Sequence, residues 1–140
     1  MRFAFTPSVS SPASLMPRLP LILSYQGRLI EALGLLDTGS AINLLPYQAG
    51  LALGAVWEDQ PLAPPLMGVL GRMETRRLLV DATHPQLTGS QSVELVFAWS
   101  RSEDAPVLFG QMNFFLEFNV CFYRAEGAFD IELITQQESP

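Results

Sequence analysis

Along most of this chain apolar side chains return every second residue, the period of a strand with one buried face, and not every third or fourth as in a helix. Leu21, Leu23 and Tyr25 alternate in this way, Gln26 and Gly27 supply a turn, and a second apolar run occupies residues 28–36, which together predict a β-hairpin. The second run is rich enough in Leu to be helical, but Gly34 lowers helix propensity and the preceding turn favours a strand leading into Asp37. Val93, Leu95, Phe97 and Trp99 repeat the alternation within residues 92–99. Shorter strands are predicted at 66–69, 73–82 and 107–109, and a terminal hairpin at 119–124 and 129–134. Helix signals are few: residues 46–53, with Pro46 at the first position and Gly54 just past the end, and a short stretch at 111–117. With no internal repeat, this pattern predicts a mainly-β domain. Residues 1–18, Pro- and Ser-rich over 6–14, read as a flexible N-terminal arm, 19–134 as the domain, and 135–140 as a tail.

Composition narrows the reading. A chain of 140 residues suffices for one core, and 49% apolar against 16% charged residues excludes global disorder. The net charge is −6, there is no lysine, and the arginines are scattered from Arg2 to Arg124, so no basic patch is available to neutralise phosphates and no nucleic-acid partner is expected. Cys121 is the sole cysteine and His84 the sole histidine, which excludes an intrachain disulfide and leaves Cys/His zinc sets and His-dependent triads without material. This usage fits a reducing, cytoplasmic setting. Pro7, Pro12, Pro17 and Pro20 interrupt the first apolar residues, and no run approaches the ~18 residues of a membrane span, so neither a secretion signal nor a membrane partner is expected. No metal or organic cofactor is expected either.

Chemistry concentrates at Asp37, Thr38, Gly39 and Ser40, where an acid leaves an apolar strand that ends in Leu35 and Leu36. A carboxylate at such a place is costly unless donors surround it, and a Thr-Gly-Ser turn offers backbone N–H groups and hydroxyls. The bare tripeptide is weak, and a loop-capping Asp would satisfy it equally. Seventy residues on, Val107, Leu108, Phe109 and Gly110 form an apolar run closing on glycine. With these two motifs in this order, the chain resembles the retropepsin-type aspartic proteases, the single-lobe form of the pepsin fold, over about residues 19–134. Two further phrases, Asn43-Leu44-Leu45-Pro46 and residues 107–122, resemble the bacterial members in particular.

The resemblance implies a mainly-β, single-lobe retropepsin-like acid protease barrel with one or two short helices. It implies that Asp37 is the catalytic acid, that Thr38 hydrogen-bonds across a twofold axis, and that Ser40 donates towards the carboxylate. It assigns residues 107–110 to the strand that supports the Asp loop in a ψ shape. Peptide hydrolysis by this chemistry needs two carboxylates sharing one proton, and the other Thr-Gly-Ser, at Thr88, Gly89 and Ser90, follows Leu87 and has no acid. An active site therefore demands Asp37 from two copies, hence a homodimer acting on a peptide or protein substrate with water as nucleophile. Gly68, Val69, Leu70 and Gly71 are the candidate flap over that substrate. Retroviral members carry an acidic residue and an arginine where this chain has Ala41 and Gln111, so both partners of a charged pair are absent together. His84 reads as a loop residue, Cys121 as a core thiol, Arg76 and Arg77 as a solvated strand edge, and Trp57, Trp99, Phe114, Phe115 and Phe118 as core or interface packing. A non-catalytic dimerisation or peptide-binding module of the same fold would fit these residues as well.

Overall fold

The computed structural model describes residues 1–7, 14–63 and 74–135. Eleven strands and two short helices follow in the order β1 (Arg2–Ala4), β2 (Thr6–Pro7), β3 (Leu15–Met16), β4 (Arg18–Tyr25), β5 (Arg28–Leu36), β6 (Asn43–Leu45), α1 (Tyr47–Ala52), β7 (Thr75–Thr83), β8 (Val93–Ser100), β9 (Leu108–Phe109), α2 (Phe114–Glu117), β10 (Phe118–Tyr123) and β11 (Ala128–Leu133). Six of them close a barrel in the order β4-β5-β9-β6-β8-β7. The predicted hairpin is β4 and β5, with Tyr25 opposite Arg28 across the Gln26-Gly27 turn.

Alternation along each strand fills the barrel. Leu19, Leu21 and Leu23 of β4, Leu78, Val80 and Ala82 of β7, and Leu95, Phe97 and Trp99 of β8 are all buried. At one end Trp99 stacks on Tyr47 at 5.7 Å between ring centroids and meets Trp57 edge-on at 5.1 Å, while its indole N–H donates to the Tyr47 carbonyl at 3.1 Å. Each buried Trp thus has an apolar wall, and the polar tip of Trp99 a partner. On the other side Phe109, Phe114 and Phe118 stack in series, tying β9, α2 and β10 together. Gly34 lets this layer close. A Cβ there would overlap the Phe109 ring, so the residue read as a breaker of helix is needed in the strand for close approach.

Several expectations need correction. Residues before Leu19 are not wholly a free arm: β1 pairs antiparallel with β11, with Arg2 opposite Asp130, and β2 pairs with β3. The Arg2 guanidinium clasps Asp130 at 2.7 Å and Glu126 at 3.3 Å, and this reciprocal pairing is the signal that composition hid. Cys121 is exposed, not in the core, because β10 is an outer strand of the three-stranded sheet β1-β11-β10 and turns that side chain away from the barrel. Arg76 is half-buried and not a solvated edge residue: β8 pairs with it on one side and Leu62 bridges to it on the other, and its guanidinium sits 5.5 Å over the Trp57 ring and donates to the Gln60 carbonyl. The helix expected over 111–117 begins only at Phe114. The flap candidates Gly68, Val69, Leu70 and Gly71 lie outside the described residues.

Two outcomes follow. Gly34→Ala pushes a methyl into the buried Phe109 ring and is expected to cost about 1–3 kcal/mol, read as a lower denaturant midpoint at unchanged slope. Asp130 is held below its ordinary value, chiefly by the hydrogen bond from Arg2 and then by that residue's charge. A depressed carboxyl stabilises the fold above its unfolded-state value and stops doing so as pH falls through the folded one. Acidification below the ordinary Asp range near ~4 is therefore expected to loosen β1, seen as a titration of the Phe3 amide resonance that Arg2→Gln removes.

Candidate active site

The loop bearing Asp37 is placed by the insertion of one short strand between two others. β9 lies parallel to β5, with Leu36 opposite Phe109, and antiparallel to β6, with Leu44 opposite Leu108. The chain leaving β5 must therefore pass around the end of β9 before returning as β6, which makes the ψ shape. Backbone bonds fix the crossing: the Asp37 N–H donates to the Phe109 carbonyl at 3.0 Å, the Leu35 N–H to the Val107 carbonyl at 3.0 Å, and the Gln111 N–H to the Ser40 carbonyl at 2.9 Å. Val107, Leu108, Phe109 and Gly110 are thus the strand that lies against the Asp loop. Gly110 is obligatory here, because a Cβ would collide with the Ile42 and Ser40 carbonyls.

Within the loop, Asp37 is half-buried, Thr38 and Gly39 are exposed, and Ser40 is buried. The Gly39 N–H donates to Asp37 Oδ1 at 3.0 Å and the Ser40 N–H to the Asp37 carbonyl at 3.1 Å, a tight turn that folds back on its own acid. One carboxylate oxygen thus receives a donor from the turn. Ser40 departs from the implied role: its Oγ donates to the Ile42 carbonyl at 2.8 Å, not to the carboxylate, so it braces the loop's exit strand. Gln111 donates from its side-chain amide to the Thr38 carbonyl at 2.8 Å. A neutral amide restrains the loop from the far side without burying a charge.

The residues that reading the sequence left without a role are Asn43 and Asn113. Asn43 is fully buried at the start of β6; its Oδ1 accepts the Gly110 N–H at 2.8 Å, and its Nδ2 donates to the Val96 carbonyl and to Asn113 Oδ1, both at 3.1 Å. Asn113 Oδ1 also accepts the Val96 N–H at 3.0 Å, and its Nδ2 donates to the Glu94 carbonyl at 2.8 Å. Two side-chain amides thereby occupy polar groups on β8 and at Gly110 that the barrel's strand pairing leaves over. The available signal was a polar amide inside the otherwise apolar run Asn43-Leu44-Leu45. His84 Nδ1 accepts the N–H groups of Gln86 and Leu87, a turn-stabilising role remote from Asp37 in sequence and hydrogen bonding.

A groove of about 280 Å³ opens beside the turn, lined by Phe5, Met16, Pro17, Leu36, Thr38, Phe122 and Arg124. Among the described residues no three His, Cys, Asp or Glu side chains gather as metal ligands, and no helix is long and apolar enough to cross a membrane.

No family model and no curated protein matches the chain. Solved structures do. A retropepsin-like aspartic protease from Rickettsia conorii aligns with a TM-score of 0.61 at 8% identity, covering 94% of this chain and 91% of that one. EIAV protease, solved in complex with the inhibitor HBY-793, aligns with a TM-score of 0.51 at 16% identity, covering 74% of this chain and 88% of that one. The fold is that of the retropepsin-like aspartic proteases, as the sequence motifs imply.

Asn43→Ala is expected to strand the buried Gly110 N–H and to cost at least about 1–3 kcal/mol, with a lower urea midpoint as the readout. Asn43→Asp retains the Oδ1 acceptor but loses both donors, and is expected to be destabilised as well.

Proposed function

We propose that this chain supplies half of an aspartic endopeptidase site, completed by a second copy. The observation that carries the proposal is Asp37 itself: a half-buried carboxyl at the tip of a ψ-shaped crossing, with the Gly39 N–H on one oxygen and exposed Thr38 beside it. The fold shared with aspartic proteases supports the same reading. A lone carboxylate is a poor hydrolytic device. Two Asp37 side chains brought together across a twofold axis cannot both ionise, so one keeps a proton while the other takes a proton from water. The activated water attacks the scissile carbonyl carbon and the protonated partner donates to its oxygen. The C–N bond then breaks as the protonated carboxyl gives its proton to the leaving nitrogen, and the other carboxylate takes a proton from a hydroxyl of the tetrahedral species, which becomes the product acid, so that the pair again holds one proton.

The substrate class is an extended peptide. The groove beside Thr38 is mainly apolar, with Phe5, Leu36, Phe122 and Arg124 among the residues that line it, which favours apolar side chains next to the cleaved bond.

Asp37→Asn removes the titratable group from both copies at almost no steric change, and is expected to lower cleavage of a peptide library by about 10²–10⁴-fold or more while circular dichroism stays unchanged. Parental rates in that variant would refute the assignment. Specific activity of the parent is expected to rise with protein concentration until the dimer saturates, and the rate to follow a bell in pH whose two limbs belong to the pair. Loss of binding to no partner but loss of all cleavage in Asp37→Asn separates the protease from a binding module of the same fold, in which that substitution leaves function intact.

A further inference from the structure

Gln111 holds the Asp37 turn at two carbonyls. Its backbone N–H donates to Ser40 at 2.9 Å and its side-chain amide to Thr38 at 2.8 Å, so it grips the loop on both sides of Gly39. The Thr38 carbonyl and the Gly39 N–H are the two ends of a single planar peptide unit and point in opposite directions. At the far end of that unit the Gly39 N–H donates to Asp37 Oδ1 at 3.0 Å. One peptide thus links the Gln111 amide to the carboxyl group, and the bond at each end polarises the bond at the other.

This peptide is also the part of the loop that can turn over. The Ser40 N–H donates to the Asp37 carbonyl at 3.1 Å, closing a four-residue turn with Thr38 and Gly39 at its centre. Neither central residue has a positive φ, as in a type I turn. Rotating the central peptide by about 180° gives the type II turn, which keeps the closing bond and needs a positive φ only at the second central position. That position is Gly39, and glycine accepts it without steric cost. In the turned-over form the Gly39 N–H leaves Asp37 Oδ1 and the Thr38 carbonyl leaves Gln111. The bonds from the Asp37 N–H to Phe109 and from the Gln111 N–H to Ser40 lie outside this peptide and do not choose between the two forms.

We propose that the Gln111 side chain is a positioning residue that selects the turn form in which the Gly39 N–H holds the Asp37 carboxyl. The proposal rests on the aspartic-protease reading above and adds what sets its acid. A donor on one carboxyl oxygen fixes the plane of the group and leaves the other oxygen to meet water and the second acid. A site built from two copies works only when both turns are set, so the selected fraction enters the rate twice.

Gln111 is exposed, so its side chain can be changed without opening the core. Because the Gly39 amide donates to the carboxyl, its proton resonance is expected to move as Asp37 titrates, and Asp37→Asn to remove that movement. Gln111→Met keeps the length of the side chain without the donor; it is expected to shrink the movement by about half or more and to lower kcat about 3–10-fold at unchanged KM. In Gln111→Glu the carboxyl can donate to Thr38 only while protonated. Its kcat relative to the parent at the same pH is therefore expected to climb as pH falls through the ordinary Glu range near ~4.3, whereas the Gln111→Met ratio stays flat. Gly39→Ala disfavours the turned-over form whatever stands at 111, and in the Gln111→Met background it is expected to restore the movement of the residue-39 amide. Its methyl lies 3.3 Å from Asp37 Oδ1, so the resonance and not the rate is the readout there. A Gly39 resonance that moves as far in Gln111→Met as in the parent overturns the proposal, whatever the activity does. So does a loss carried by KM alone. A parent that cleaves no peptide, yet whose Gly39 resonance answers to Gln111 as expected, overturns the protease reading and leaves the turn selection standing.

Discussion

The structure depends on one crossing: β9 threads between β5 and β6, and the loop that joins those two strands has to go around it. The crossing is possible only because Gly110 has no side chain where the Ile42 and Ser40 carbonyls pass, and it is held because the Gly110 N–H ends on a buried amide, Asn43 Oδ1. Everything at the site inherits its position from there. Asp37 is hung on the Phe109 carbonyl, Ser40 is bonded to Gln111, and the Thr38 carbonyl is held by the Gln111 side chain. The loop is rigid from its backbone outward, and the acid needs only one turn donor, from Gly39, to be oriented.

The same logic explains which polar groups this chain buries. A small barrel that changes between parallel and antiparallel pairing leaves backbone groups on β8 with no strand to meet. Asn43 and Asn113 take these up as a neutral, hydrogen-bonded pair. A neutral pair avoids the desolvation cost of several kcal/mol per ion that buried charges would carry there, and suits a chain with few charged residues. The arginines that remain near the core are laid flat on aromatic rings, Arg76 and Arg101 both within 5.5 Å of the Trp57 ring centroid.

What was legible in the sequence was whatever a local rule encodes. The period of two marked β4, β5 and β8, the Gln26-Gly27 turn set a hairpin register, and Pro46 with Gly54 framed α1. The Asp37 turn and the strand at Val107 to Gly110 were legible together, because each is a short motif and their order is informative. What was not legible is non-local. Three residues of β1 gave no strand signal of their own and are held by a partner at the far end of the chain. Cys121 sits in an apolar run that reads as core, yet only alternate residues of that strand face inward and β10 has no neighbour beyond it among the described residues. Ser40 carries the motif's hydroxyl, but which of two nearby oxygens it serves is decided by the path of Ile42, which no spacing reveals.

The pairing of Arg2 with Asp130 spans 128 residues, so it sets the order in which the molecule can be built. During synthesis the barrel hairpin β4–β5 can close within a few tens of residues of emerging, while β1 has no strand to join until β11 leaves the ribosome. Closing so long a loop is entropically expensive and slow, so this contact forms late. A nascent or partly translated chain therefore carries an incomplete terminal sheet, and β1 gains its place only when β11 has been made.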